Sequence, residues 1–423
     1  MRIAFTTLGC KINQYETDVM RKTAAAEGNA IVPFESEADV YVINTCSVTA
    51  KSDYQCRQTI RAAIRRKEGA RIIVTGCYAE TRPQEIRSIP GVSLVLGNGE
   101  KANIARYVSD PGHAGVDRAS GYHDVVRERT RGVLKIQDGC DGRCSYCIVP
   151  QARGASRSAQ RDEVVKLFDQ AVDAGCPEVV LSGIHIGRYG SDLDPQVSLT
   201  GLVADLLARR KQTRIRLSSI EPNEITDEMV DLFGQGMCRH LHIPLQSGDD
   251  AILHSMNRNY TAMFYRDLVE TITHKVPGVA IGADVMVGFP GEDESAFLNT
   301  FNLIEELPLT HLHVFSYSPR PGTTAAIMKG QVSNAIKKLR NEALRDLGLK
   351  KNLEFRKRFK GSILKVVLEE SSLSDEREGA GLTDNYIRVA VSGVKRGDLG
   401  KEIHVLIDNV RDTEVIGSKI PSD

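Results

Sequence analysis

Short apolar runs at residues 3–8, 40–44, 71–75 and 93–96 are separated by stretches long enough for a helix, with 13–28 and the polar stretch ending at Lys67 among them. Runs spaced this far apart cannot pair as tight hairpins. They predict parallel strands joined by helical crossovers, a doubly wound parallel α/β sheet. A cysteine stands just past three of the runs: Cys10 in TLGC, Cys46 in NTC and Cys77 in TGC. The carboxyl ends of parallel strands share one edge, and ligands bind there. A lone cysteine is most often a small buried hydrophobe. Three at equivalent topological positions predict one shared metal site. Cys56, Cys176 and Cys238 lack such company and read as structural.

The pattern resumes at larger scale from Val133. Expected strands are 133–137, 178–182, 214–218, 240–245, 280–287 and 311–316, with helices at 160–174, 199–210 and 260–276. Six β/α units predict a partial (β/α)6 barrel whose strand carboxyl ends lie on one face. The basic stretch 335–360 predicts an amphipathic helix with Ile336, Leu339, Ala343 and Leu347 on its buried stripe. From 358 the chain changes to short alternating runs between Gly and Asp turns, the pattern of a small antiparallel β-barrel. The expected domains are 1–110, a Gly-rich polar linker at 111–126, a core at 127–357 and the terminal barrel at 358–423.

The stretch GCDGRCSYCIVP places Cys140, Cys144 and Cys147 in one loop after the first barrel strand. A structural zinc site is closed by four ligands, and a ferredoxin-type cluster also takes four cysteines. Three leave a coordination position open, which points to chemistry rather than to a staple.

Composition excludes several classes. The 423 residues carry no net charge, so no global basic field points to nucleic acid and any such binding rests on local patches. The opening MRIAFTTLGC lacks the basic region and long apolar run of a secretory signal. No apolar stretch approaches the roughly 20 residues of a membrane span. A cytoplasmic protein with no membrane partner is expected, one in which cysteines more often serve metal or catalysis than disulfides. Nothing in the sequence demands an oligomer, and a monomer is expected.

CDGRCSYC resembles the cysteine motif of radical S-adenosylmethionine enzymes. The resemblance implies a 4Fe-4S cluster on Cys140, Cys144 and Cys147 whose open iron binds S-adenosylmethionine, the source of a deoxyadenosyl radical. TLGCKIN, NTCSVT and TGCYAE are similar to the three N-terminal motifs of the methylthiotransferase family, which implies a second, auxiliary 4Fe-4S cluster on Cys10, Cys46 and Cys77. The terminal segment resembles a TRAM domain, a small barrel that contacts RNA. The family attaches methylthio groups to unreactive C–H carbons. TLGCKINQYET, LSGIHIGRYG and IQDGCDGRCSYCIVPQARG look most like the branch acting on threonylcarbamoyladenosine beside the tRNA anticodon. Sister branches act on isopentenyladenosine or on a ribosomal-protein aspartate. A competitor of another class is a non-catalytic RNA-binding protein with structural metals. The implied partners are a tRNA anticodon stem-loop and an electron donor such as flavodoxin or ferredoxin.

The resemblance also suggests cofactor contacts. Tyr146 would lie near the adenine of S-adenosylmethionine, with simple packing as the alternative. Ser182 and Gly183 stand where the superfamily often has Gly-Gly-Glu; Ser-Gly-Ile here leaves only backbone carbonyls. Glu221, Gln246 and Ser247 follow later strands on the same face, with loop capping as the alternative. The turn GFPGE at 288–292 borders that face and lacks the Lys and Ser/Thr of a phosphate loop. Lys51, Arg57, Arg61, Arg65, Arg66 and Lys67, and Arg127, Arg129, Arg131, Arg153 and Arg157 around the cysteine loop, are candidate phosphate contacts. Solvated surface is the competing reading for each. Acidic residues outnumber basic ones across 358–423, an unusual balance for an RNA-gripping domain.

Overall fold

The computed structural model describes residues 1–109, 130–371 and 378–421. The expected linker at 111–126, together with Arg127 and Arg129, lies outside the described residues. Contacts divide the chain into two compact units: Met1–Val126 with Gln137–Arg157 and Ser318–Ala326, and Arg127–Ile136 with Ser158–Tyr317 and Ile327–Asp423.

The first unit holds a five-stranded parallel sheet of β1 (Arg2–Thr7), β2 (Ala30–Val32), β3 (Val40–Thr45), β4 (Arg71–Gly76) and β5 (Leu94–Val95), in the order β2-β1-β3-β4-β5. The expected strands form with bounds shifted by a residue or two. The short edge strand β2 is additional; its three residues, none of them buried, leave no pattern. Helices α1 (Lys11–Ala26) and α2 (Ala50–Arg66) cross over between strands. Apolar clusters cover both faces, one around Tyr41, Ile43, Ile60 and Val74 and one around Ile3, Val42, Met20 and Ile104. β3 is buried at every position, as a central parallel strand covered on both faces must be. Thr49 caps α2 by accepting from Ser52 N–H, while the Ser52 hydroxyl accepts from Thr49 N–H. The same unit contains the two-residue strand β7 (Gln137–Asp138) and the cysteine loop.

The second unit carries β6 (Gly132–Lys135), a short β8 (Arg157–Ser158) at its boundary, β9 (Glu178–Ser182), β10 (Arg214–Leu217), β11 (His240–His242), β12 (Ala280–Val287) and β13 (His311–Ser316). Two parallel sheets, β6-β9-β10 and β11-β12-β13, are linked where Cys238 N–H donates to Ile215 O and Ile220 N–H to His242 O. Six parallel strands therefore follow one another in chain order, the partial barrel that the strand–helix alternation predicts. β11 is shorter than expected: Ile243 and Leu245 N–H still donate to Gly282 O and Asp284 O, but Gln246 N–H also goes to Asp284 O, a one-residue slip that ends the regular pairing.

The helix Asn334–Lys357 corrects the expected stripe. It buries Lys337, Arg340, Leu344 and Leu347, while Ile336 and Leu339 stand 42% and 66% exposed. Directional bonds set the rotation: Lys337 Nζ donates to Tyr317 O at 3.1 Å, and Arg340 meets Glu292 Oε1 at 2.7 Å.

The terminal segment is a closed barrel of β14 (Ile363–Ser371), β15 (Glu378–Thr383), β16 (Arg388–Ser392), β17 (Glu402–Val410) and β18 (Val415–Lys419). Closure removes exposed edges. One pair, β16 with β18, is parallel rather than antiparallel.

Glu178 anchors this barrel within the second unit. Its carboxylate meets Arg214 Nε at 2.6 Å, Arg216 Nε at 2.8 Å and Arg131 Nη1 at 3.3 Å. Arg214 and Arg216 also donate to Leu382 O and Thr383 O at the end of β15, and Arg131 pairs with Glu369. Burial would raise the Glu178 carboxyl; Arg216, Arg214 and Arg131 outweigh it and hold the group far below the usual carboxylate range. Arg131 is thus structural rather than a phosphate contact. Glu178→Gln leaves three arginines around a neutral amide, and unfolding in denaturant should show a loss of about 3–5 kcal/mol. Because the folded pKa is depressed, the contribution is full above the unfolded carboxylate pKa of about 4.3. It declines only as the pH falls below that value. Equal stability of wild type and variant at pH 7 would contradict this.

Candidate metal centre

Cys10 precedes α1 as its N-cap, Cys46 follows β3, and Cys77 opens the short helix α3 (Cys77–Thr81) directly after β4. β1, β3 and β4 are adjacent parallel strands, so all three cysteines stand at one sheet edge. Their convergence is measurable. A Cβ added to Gly9 would lie 2.9 Å from Cys46 Cβ and 3.2 Å from Cys46 Sγ. Burial raises the Cys46 thiol above its usual range, and the neighbouring Cys77 and Cys10 push the same way. Cys46 is buried, Cys77 half-buried and Cys10 exposed. By contrast, Cys56 and Cys238 are buried with thiols pushed up to about 12, and Cys176 is buried as well. These three fit structural roles.

Asparagines support the triplet from behind. Asn13 Nδ2 donates to Leu8 O at 2.8 Å and to Thr45 O at 3.0 Å. Asn44 Nδ2 donates to Asn13 O, and its buried Oδ1 has no hydrogen-bond partner.

The second triplet lies in the same compact unit. Gly139 opens its loop at φ +73°, and a Cβ there would stand 1.9 Å from Ala155 O, so only glycine fits. Cys140 N–H donates to Gly154 O, Cys147 N–H to Cys144 O, and Gly142 N–H to Cys140 Sγ at 3.3 Å. An N–H aimed at a sulfur suits a thiolate that ligates a cluster, whose potential such bonds tune. All three cysteines are half-buried. Tyr146 is half-buried between Cys144 and Cys147. Among the described residues no three His, Cys, Asp or Glu side chains are gathered to hold a single ion. Three cysteine thiolates are the donor chemistry that a four-iron cluster with an open position takes.

One buried ion group joins the two triplets' supports. Arg153, on the helix Val149–Arg153 that follows the loop, pairs with Glu16 of α1 and donates to Asn13 Oδ1. Lys101 Nζ meets Glu16 Oε2 at 2.5 Å, the oxygen that Arg153 Nη2 also reaches at 3.1 Å. Arg153 and Lys101 both lie within electrostatic reach of Cys77. Nearby, Arg320 pairs with Asp53 and donates to Ser47 Oγ beside Cys46, while Ala325 N–H holds Ser145 O at 2.8 Å. Arg153 is buried, which corrects its reading as a phosphate contact. Arg57 donates to Tyr78 OH, and Lys67 pairs with Asp39. Lys51, Arg61 and Arg65 are exposed. Glu16, Lys101 and Arg320 left no local signal, because their partners lie far away in sequence.

The remaining sequence candidates belong to the second unit. Ser182 ends β9, buried, and its carbonyl accepts from Ile136 N–H; Gly183 beside it is half-buried. Glu221 pairs with Arg258, and burial raises its carboxyl. Gln246 is 6% exposed at φ +63°, and its Oε1 has no hydrogen-bond partner. A buried polar atom left in this state is costly, and a strained non-glycine residue at a strand end is a functional signal. Ser247 differs: its hydroxyl bonds Thr300 Oγ1 at 3.2 Å and accepts from Asp249 N–H, a loop-capping arrangement.

Comparisons with known proteins match this architecture. Residues 134–304 match the radical SAM superfamily, and residues 2–97 match the uncharacterized protein family UPF0004. Among solved structures, the radical S-adenosylmethionine methyltransferase TsrM from Kitasatospora setae aligns with a TM-score of 0.58 at 16% identity, over 77% of each chain. That likeness concerns the fold: an α/β protein of the radical SAM class. The threonylcarbamoyladenosine tRNA methylthiotransferase MtaB of Bacillus subtilis is 40% identical, over 96% of this chain and 93% of the relative. The MtaB of Aquifex aeolicus is 36% identical over 96% and 100%. A tRNA-2-methylthio-N(6)-dimethylallyladenosine synthase of Fusobacterium nucleatum is 30% identical over 90% and 91%. The chain belongs to the radical SAM methylthiotransferase family of the MtaB type.

The ion group makes an asymmetric prediction. Arg153→Met leaves Glu16 paired with Lys101, whereas Glu16→Gln leaves buried Lys101 without its anion and Arg153 with only the longer Asp138 contact at 3.4 Å. Glu16→Gln should therefore destabilise the chain more, by about 3–5 kcal/mol in denaturant titration. A larger loss for Arg153→Met would contradict the pairing.

Proposed function

We propose that this chain is a tRNA methylthiotransferase that converts N6-threonylcarbamoyladenosine at position 37, 3′ of the anticodon, to its 2-methylthio derivative. The observation that carries the reading is the pair of cysteine triplets in one compact unit, in a chain that aligns with MtaB relatives along nearly its whole length.

In this reading Cys140, Cys144 and Cys147 hold a 4Fe-4S cluster, and Cys10, Cys46 and Cys77 hold a second one. A three-thiolate cluster with S-adenosylmethionine supplies, when bound, the radical that breaks an unactivated C–H bond, and an auxiliary cluster supplies sulfur. The protein's part is placement. Glu16, Arg153 and Asn13 brace α1 and the helix after the cysteine loop. Lys101 and Arg153 supply positive charge near Cys77, which favours a negatively charged thiolate–cluster assembly. Tyr146, Ser182, Gly183, Glu221 and Gln246 are proposed cofactor contacts. Ser247 acts by shaping the loop that carries Gln246.

The proposed domains are an N-terminal domain over 1–110, a linker at 111–126, a radical SAM core over 127–357 and a TRAM-like domain over 358–423. Exposed Lys51, Arg61 and Arg65 are proposed phosphate contacts for the anticodon stem-loop. The tRNA substrate puts the reaction in the cytoplasm, with a flavodoxin- or ferredoxin-type electron donor and a monomeric enzyme. Among the described residues no helix is long and apolar enough to cross a membrane.

Mass spectrometry of tRNA nucleosides from a deletion strain tests the substrate. Loss of the methylthio-threonylcarbamoyl nucleoside alone is expected. Unchanged tRNA with an altered ribosomal protein would overturn the reading. Single variants divide the two clusters. Cys144→Ala should abolish both deoxyadenosine formation and product, whereas Cys46→Ala should abolish product while leaving some S-adenosylmethionine cleavage. Full product formation by Cys46→Ala would refute the auxiliary-cluster assignment.

A further inference from the structure

Two His-Leu-His tripeptides stand on strands of the second unit, one forming β11 and one opening β13. Strand alternation sends both histidines of each tripeptide to one face. In the parallel register, His242 lies opposite Gly282 and Gly282 opposite His311, while Asp284 lies opposite His313 in the next row. Asp284 Oδ1 meets His242 Nε2 at 3.0 Å and His313 Nδ1 at 3.0 Å. A Cβ at Gly282 would stand 2.8 Å from His242 Nδ1, so the missing side chain makes room for that imidazole. Barrel interiors of this kind are usually filled by branched apolar residues. Here the row is polar, and His313 is 72% exposed.

Both imidazoles bond one carboxylate oxygen directly, which leaves no gap for an ion. With Nδ1 engaged by Asp284, Nε2 is the His313 nitrogen left for a ligand, on a largely exposed side chain. The Asp284 hydrogen bond raises the His313 pKa above the ordinary imidazole value, favouring the cationic form. The established parts of the site use none of these residues.

We propose that His313, oriented by Asp284 and braced by His242, binds the carboxylate of the threonylcarbamoyl group; this rests on the substrate reading above. A threonylcarbamoyl substituent ends in a carboxylate and a hydroxyl, whereas a dimethylallyl substituent ends in methyl groups. An imidazolium N–H to a carboxylate is a charge-assisted bond. A dimethylallyl group would desolvate the same polar row without pairing it, so the row selects against the sister substrate. The negative charge of Asp284 is met by two imidazoles, and an incoming carboxylate approaches the opposite nitrogen of His313. Asp284 and His313 stand three residues before the carboxyl ends of β12 and β13, the strand edge where ligands bind in parallel barrels.

The test uses the full-length, anaerobically reconstituted protein and anticodon stem-loop RNAs with threonylcarbamoyladenosine, adenosine or dimethylallyladenosine at position 37. Binding is read by fluorescence anisotropy, and uncoupled deoxyadenosine formation is measured alongside. His313→Gln should reduce the preference for the threonylcarbamoyl RNA over the adenosine RNA by about tenfold. Affinity for the adenosine RNA and uncoupled deoxyadenosine formation should stay unchanged. Gly282→Ala removes no polar atom and displaces His242, so it should reduce the preference in the same direction. Wild-type preference in both variants would overturn the inference while leaving the activity intact. Failure of the wild-type protein to methylthiolate the threonylcarbamoyl RNA would instead overturn the substrate reading on which it rests.

Discussion

The contact on which the candidate centre depends is the buried group of Glu16, Arg153 and Lys101. It ties α1, which Cys10 caps, to the helix that closes the Cys140–Cys147 loop, across more than a hundred residues of chain. Burying three charges is costly, and their mutual attraction offsets that cost only where geometry is good and hydrogen-bonding capacity is filled. Asn13 fills part of it by accepting from Arg153 while donating to the backbone beside Thr45 and Leu8. One network thus fixes the strand ends that carry the first triplet and the helix that follows the second. A comparable set of apolar contacts would bury surface without fixing direction, and cluster ligation needs direction.

The second unit repeats the device with the same signs. One buried carboxylate, Glu178, gathers Arg131, Arg214 and Arg216, and two of those arginines reach backbone carbonyls of the terminal barrel. Arg239 adds a two-pronged pair with Asp384 at 2.7 and 3.1 Å. Arginine suits this use because its planar fork meets several acceptors at once and stays charged. The terminal barrel therefore spends much of its nearby basic charge on attachment.

The parts governed by local pattern were legible in the sequence. The alternation of strands and helices, the cysteines past β1, β3 and β4, and the closed terminal barrel all follow from hydrophobic period and turn residues. Features set by long-range pairing were not. Arg131 and Arg153 resemble phosphate contacts in sequence because nothing nearby reveals Glu178 or Glu16. The helix Asn334–Lys357 turned its face because Lys337 and Arg340 found Tyr317 O and Glu292, which outweighed two exposed aliphatic side chains. The His242–Asp284–His313 row did leave a trace, the repeated His-Leu-His, but only the register of β11, β12 and β13 brings its members together.

The central claim is that each cysteine triplet carries its own four-iron cluster. Iron and acid-labile sulfide analysis of anaerobically reconstituted protein tests it most directly. The prediction is about eight irons and about eight sulfides per chain, falling to about four of each when either triplet is replaced by alanine. About one metal per triplet with no labile sulfide would contradict the account.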